Sequence, residues 1–306
     1  MRTIQLGKSD LTVPAIALGC MRINGVDKRT AEAFVKTAIE LGANFFDHAD
    51  CYGGGECEAI FADVVGMNSS VREKLLLQSK CGIVPGKMYD FSKEHILKST
   101  DAILSRLKTD YLDVLLLHRP DALLEPDEVA EAFSTLYKSG KVRNFGVSNQ
   151  DPGLMQLLQS SLEQLIVVNQ VQLSITNASL ITQTMNMNIM DNMSIDRDNG
   201  TLNYCRLNNI TVQPWSPFQY GFFEGVFLDN EKFPQLNAKI DEIAKKYNVA
   251  NTTIALAWLL RHPAKMQPVT GTINPERLKD CVKATEITLT KEEWYEIYLA
   301  AGHRLP

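Results

Sequence analysis

Three apolar runs in this chain end on ionisable side chains. Asn44-Phe45-Phe46 closes on Asp47, with Tyr52 a little further on at the head of Gly53-Gly54-Gly55. Leu75-Leu76-Leu77-Gln78-Ser79 closes on Lys80, and Asp113-Val114-Leu115-Leu116-Leu117 closes on His118. An apolar strand that hands polar groups to a loop is how a scaffold builds an active-site rim. Each residue alone has a blander reading: a strand-ending Asp caps a turn, a Tyr packs, and a His before Arg119-Pro120 satisfies a local hydrogen bond. If neighbouring strands bring all four to one edge, they define a chemistry. A free phenol, with a pKa near ~10, is a sluggish proton donor at neutral pH. A lysine ammonium beside it is expected to lower that pKa, and Asp47 to keep the lysine charged and placed. With His118 bonding the same oxygen, the set is a general acid aimed at a carbonyl oxygen. The complementary event is delivery of a nucleophile, naturally hydride, to the carbonyl carbon.

The elements that must position these groups follow in chain order. Residues 3–7 and 11–13 read as a β-hairpin, and 15–19 as a buried strand running into Cys20-Met21. Helical spacing of Ala31, Phe34, Val35, Ala38 and Ile39 predicts a helix over 30–41, stopped by Gly42. Strands near 45, 77, 115, 145, 168, 212 and 268 then alternate with helices at 56–65, 92–107, 127–138, 152–160, 201–208, 237–247, 251–262 and 275–284, with a last helix at 291–301. The strands are apolar throughout rather than alternating, as in a parallel sheet covered on both faces. With the strand near 16 this makes eight, and eight βα units closing on themselves form a (β/α)8 TIM barrel, with an N-terminal hairpin and extra C-terminal helices, as a single domain over 1–306. The competing doubly wound sheet lacks a G-x-G-x-x-G after its first strand; Gly53-Gly54-Gly55 is only a weak mimic of one.

Composition narrows the class. The chain has 306 residues, 45% hydrophobic and 22% charged, with net charge −5. With no long Lys/Arg run, it carries no nucleic-acid or polybasic membrane footprint. Runs such as Ile254–Leu260 are too short to span a bilayer, and the N-terminus has no apolar leader, so a cytoplasmic protein acting on a small molecule is expected. The six cysteines hold no C-x-x-C pair and are expected as free thiols. His48, Cys51 and Cys57 match no common zinc spacing and lack a fourth ligand, so no metal is expected.

Asp47-x4-Tyr52-Gly53, Lys80 after its strand, and Leu-Leu-His118-Arg-Pro-Asp together resemble the Asp/Tyr/Lys/His tetrad of the aldo-keto reductases, in the same order. Phe145-Gly146-Val147-Ser148-Asn149 is similar to that family's Gly-Val-Ser-Asn, and Asn169-Gln170-Val171-Gln172 to its Asn-Gln-x-Glu, with Gln172 in place of the acid. The resemblance spans essentially the whole chain. It implies an NADPH-dependent reductase of aldehydes or ketones, with NADH possible and a monomer or weak homo-oligomer as the default. It implies that Tyr52, Asp47, Lys80 and His118 are catalytic, with Asp47 also beside the cofactor, and that Ser148, Asn149 and Gln170 hold the nicotinamide carboxamide. Trp215 would stack on the nicotinamide, and Ser216, Pro217 and Phe218, with the loop through Gly221, would strap the pyrophosphate. Gly19, Cys20 and Met21 would approach by backbone, while Gly271, Thr272 and Arg277 would hold the adenosine 2′-phosphate. Gly271 stands where many members place a lysine. The rival reading is a nicotinamide-sensing subunit; a hydrolytic barrel would need paired carboxylates or a metal set, and neither stands out. The Met- and Asn-rich stretch 177–200 reads either as an apolar flap over the site or as an ordered surface excursion, and the short C-terminal tail predicts an open site.

Overall fold

The computed structural model describes residues 1–305. Eight parallel strands close into a barrel: β1 (Ala17–Gly19), β2 (Phe45–Asp47), β3 (Leu76–Cys81), β4 (Leu112–Leu117), β5 (Val142–Ser148), β6 (Ile166–Gln172), β7 (Thr211–Trp215) and β8 (Val269–Thr270). Closure comes from β8 pairing with β1, Val269 opposite Ala17 and Thr270 opposite Leu18. Helices lie between the strands, as the alternating pattern predicts.

The side chains of each strand divide between two cores. Along β4, Val114 and Leu116 point into the barrel, where they join Ala17, Phe45, Val168 and Val269. Leu115 and Leu117 point outward into the larger core beneath the helices. Burial on both faces is why the strands carry no polar alternation. The N-terminal hairpin, Thr3–Gln5 against Thr12–Pro14, sends Leu6 and Val13 into the inner core and plugs the barrel floor. At Gly146 on β5 a Cβ would stand 2.7 Å from Leu116 and 2.8 Å from the Val168 carbonyl, so only glycine lets the three strands approach.

Several elements depart from the sequence-based expectation. β8 is shorter than the expected 267–269 strand and shifted: Pro268 has no N–H to donate, and its carbonyl serves only to accept from Ala17. The helix expected at 237–247 begins at Pro234, where proline sits in the first turn without losing a hydrogen bond. Two-stranded hairpins at 83–84/88–89 and 219–220/225–226 are too short to leave a sequence pattern.

The 177–200 stretch contains a short helix, Ser179–Met185, and is fastened to the rest of the molecule. Tyr298 donates to Thr182 at 3.0 Å, Asn199 donates to Asp151 at 2.9 Å, and Arg304 pairs with Asp191. None of its residues lines the large cavity described below, so it is the ordered surface excursion rather than a flap, with Met187 and Met190 facing out.

Candidate active site

Parallel closure puts the C-terminal ends of all eight strands at one rim. Asp47 ends β2, Lys80 lies near the end of β3, His118 follows β4, Ser148 ends β5, and Trp215 ends β7. Inward-facing register carries Gln78 and Lys80, two apart on β3, to the same side.

The Lys80 ammonium is fully buried. It donates to Asp47 Oδ2 at 2.8 Å, to the His48 carbonyl at 2.7 Å and to the Tyr52 hydroxyl at 3.1 Å, which uses its three protons. Burial alone would lower the Lys80 pKa, but the Asp47 carboxylate and then Tyr52 outweigh it and the net shift is upward. The Tyr52 phenol is pushed up to about 12, chiefly by burial, with Lys80 pulling the other way. Lys80 thus acts in the expected direction, but desolvation outweighs it and the net shift is upward, against the expectation of a lowered phenol. His118 lies edge-on to the Tyr52 ring, 6.0 Å between centroids, and burial, followed by the charges of Lys80 and Arg119, holds it well below the usual histidine range and so neutral. The Cys51 thiol lies 3.7 Å from His118 Nδ1. If the thiol donates there, the ring's proton is on Nε2.

Tyr52 is presented by a 3-10 turn, Tyr52–Gly55, that enters helix Glu56–Val65. Gly55 has φ +95°, and a Cβ there would meet Arg106 Cδ at 2.9 Å, so the glycine is required by both conformation and space.

A feature that strand-end residues do not announce lies below the tetrad. Asp47 can only accept, so the amides of Gln78 and Gln170 both turn Nε2 toward its Oδ1, at 2.6 and 3.1 Å. Both also donate to Gln213 Oε1, at 2.9 and 3.0 Å. Gln213 Nε2 in turn donates to Gln78 Oε1 and Gln267 Oε1, and Gln267 donates to the Pro14 carbonyl of the hairpin. A chain of buried amides thus runs from the barrel floor to the carboxylate. Its one free end is Gln170 Oε1, an acceptor on a residue that lines the cavity.

Outside the barrel wall lies a second polar group. Glu58 accepts from Ser79 and from Arg106, each at 2.7 Å, while both ring nitrogens of buried His48 lack partners among the described residues. Burial, with a smaller contribution from Lys80, pushes His48 down to about 3.

A cavity of about 1400 Å3 opens over the rim. Gly19, Met21, Asp47, Tyr52, His118, Ser148, Asn149, Gln170, Trp215, Ser216, Pro217, Phe218, Gly271, Thr272 and Arg277 all line it. Three expected residues do not. Lys80 lies behind Tyr52, Cys20 is buried with its thiol turned to the Leu18 carbonyl, and Gly221 faces Glu224 with its carbonyl accepting from Gln172 at 2.6 Å. Arg22, Arg119 and Phe223 line it without having been anticipated. Phe223 stacks on Trp215 at 5.7 Å, and Trp215 Nε1 donates to Asn149 Oδ1 at 3.0 Å.

The lining suits a nicotinamide dinucleotide. Gln170 offers an unpaired acceptor, and Asn149 Nδ2 donates to Ser148 Oγ at 2.8 Å and, through its other proton, to the His118 carbonyl at a long 3.4 Å, so acceptor and donor amides stand on the same wall as a carboxamide requires. At the far end Arg22 rests on the Gly271 carbonyl at 3.3 Å, and Arg277 stands on the first turn of helix Pro275–Lys283. A Cβ at residue 271 would reach within 2.9 Å of Arg22 Nη1, the end of a flexible side chain that could turn aside.

A closed (β/α)8 barrel with a buried ion pair behind a cavity-facing phenol is the architecture of a barrel oxidoreductase. The Aldo/keto reductase family model matches residues 15–300, and the chain belongs to that family; it is an NAD(P)H-dependent oxidoreductase. Among curated relatives, an uncharacterized oxidoreductase, YcsN, of Bacillus subtilis is 35% identical over 320 aligned positions, covering 100% of both chains. A 6-dehydroglucose reductase of Agrobacterium fabrum is 35% identical, covering 95% of each chain. The oxidoreductase YdhF of Escherichia coli is 34% identical, covering 91% of this chain and 90% of its own. Among solved structures, the thermostable aldo-keto reductase Tm1743, in complex with the inhibitor epalrestat, matches with a TM-score of 0.78 at 29% identity, covering 98% of this chain and 100% of that one.

Proposed function

We propose that this chain reduces aldehyde or ketone carbonyls to alcohols with NADPH, with Tyr52 as the general acid. The observation that carries the reading is the Tyr52 hydroxyl on the cavity wall, 3.1 Å from an ammonium itself 2.8 Å from a buried carboxylate. A nicotinamide, when bound, supplies the hydride. Everything else falls to the protein. Tyr52 gives its proton to the carbonyl oxygen as negative charge develops there. Lys80 stabilises the tyrosinate that results, and Asp47 holds Lys80 in place. Neutral His118, with Nδ1 turned to Cys51, directs Nε2–H at the same oxygen and positions the carbonyl. Arg277, with Arg22 also lining the cavity at that end, favours a nucleotide carrying a 2′-phosphate, because a guanidinium fork bonds two phosphate oxygens.

The test is cofactor consumption by purified protein against aromatic aldehydes, dicarbonyls, quinones and sugar aldehydes, run with NADPH and again with NADH. Sugar aldehydes belong in the panel because one relative is a 6-dehydroglucose reductase. The reading expects turnover on at least one carbonyl class, faster with NADPH. Tight NADPH binding with no turnover on any class would favour a nicotinamide-responsive binding protein.

A further inference from the structure

Beside the tetrad, on the side of His118 away from the cavity, three atoms converge with little else to bond. Asp50 Oδ1 is buried and has no hydrogen-bond partner among the described residues. Cys51 Sγ has one polar contact, the 3.7 Å approach to His118 Nδ1, and His118 Nδ1 has no other. One carboxylate oxygen, the sulfur and one imidazole nitrogen all lie within 4.8 Å of one another. Neither Asp50 nor Cys51 lines the cavity, so with Nδ1 turned toward them His118 keeps Nε2 for the substrate side.

We propose that Asp50, Cys51 and His118 form a binding site for a borderline-soft divalent cation, Zn2+ above others. Three under-bonded atoms of types O, S and N match the donor set zinc takes. Ligand atoms around a tetrahedral zinc stand about 3.3–3.7 Å apart, given bonds of roughly 2.0–2.3 Å. The Cys51–His118 distance of 3.7 Å already meets that spacing, and the Asp50 oxygen lies within 4.8 Å of both atoms. Three protein ligands leave the fourth position to water. His48 and Cys57, the residues whose sequence positions first suggest zinc, take no part. Binding replaces the Cys51 S–H bond with S–Zn and releases the proton to solvent. It also fixes His118 through Nδ1, leaving Nε2–H for the substrate: the ion would hold the same tautomer that the thiol selects.

The probe is Co2+, added to the purified full-length protein with cofactor removed, followed by absorption. Cys51 alone among the described cysteines is not fully buried, so a thiolate signal reports this site. Expected are a near-ultraviolet sulfur-to-cobalt charge-transfer band saturating at one ion per chain, displaced by Zn2+, absent in Cys51→Ser and weakened about tenfold or more in Asp50→Asn. Circular dichroism and NADPH-induced fluorescence changes confirm that the variants fold. No charge-transfer band in the parent protein, or a band that persists in Cys51→Ser, overturns the proposal. Should Cys51→Ser fail to fold, Asp50→Asn decides: unchanged affinity also overturns it.

Discussion

The Lys80 ammonium and the Asp47 carboxylate meet at 2.8 Å with both side chains buried inside the barrel; Asp47 and Tyr52 reach the cavity wall, and Lys80 does not. Attraction between the two offsets their desolvation only while both are present. Lys80→Met strands a buried carboxylate, and the expected loss of stability is about 3–5 kcal/mol. Adding Asp47→Asn to Lys80→Met removes the stranded charge and should restore a good part of it. Urea midpoints for the two singles and the double form the cycle; purely additive losses would mean the pair is not coupled.

His48 sets a pH dependence of stability. Its folded pKa is about 3 against an ordinary 6.5, so the unfolded chain binds a proton that the native chain refuses. Stability from this group is therefore complete above pH 6.5 and falls as the pH drops toward 3, at about 1.4 kcal/mol per unit. His48→Leu removes that penalty and both unpaired ring nitrogens. Its stability relative to the parent should improve by about 2 kcal/mol between pH 8 and pH 5. Thermal unfolding at the two pH values checks this; an equal effect at both would mean that His48 is charged or solvated in the native state.

Gln213 is the hub of the amide chain, accepting from Gln78 and Gln170 and donating to Gln78 and Gln267. Gln213→Leu leaves several buried polar groups unpaired, each at about 1–3 kcal/mol. It also frees the Gln170 amide to turn, so NADPH affinity by protein fluorescence should fall about tenfold, the equivalent of one hydrogen bond of roughly 1.4 kcal/mol. A destabilised variant with unchanged NADPH affinity would assign the chain to packing alone.

The barrel was legible in the sequence because strands buried on both faces read as unbroken apolar runs at regular spacing, and the positions of the four site residues because three runs end on ionisable side chains and Tyr52 follows the first on its loop. What was not legible depends on three-dimensional register. A single glutamine inside an apolar strand, such as Gln78 or Gln213, reads alike whether it points into the barrel or out of it. Only closure reveals that Gln78 and Gln170 donate to one carboxylate and that Gln213 and Gln267 link them to the barrel floor. The upward shift of Tyr52 was equally hidden, since attraction to Lys80 could be anticipated from order along the chain but the opposing burial could not. Cys20 and Gly221 sit in motifs that suggest the cofactor, yet neither lines the cavity: the Cys20 side chain is buried and the Gly221 carbonyl accepts from Gln172.

In the proposed reaction the Tyr52 hydroxyl supplies the proton. Tyr52→Phe keeps the ring and removes only that hydroxyl. Single-turnover reduction of a carbonyl substrate by enzyme-bound NADPH, with the NADPH dissociation constant measured alongside, should slow by about 100- to 10,000-fold while cofactor affinity stays within a factor of about two. A Tyr52→Phe protein that reduces the same carbonyl at near the parent rate, with NADPH still bound, would remove Tyr52 from the role of general acid.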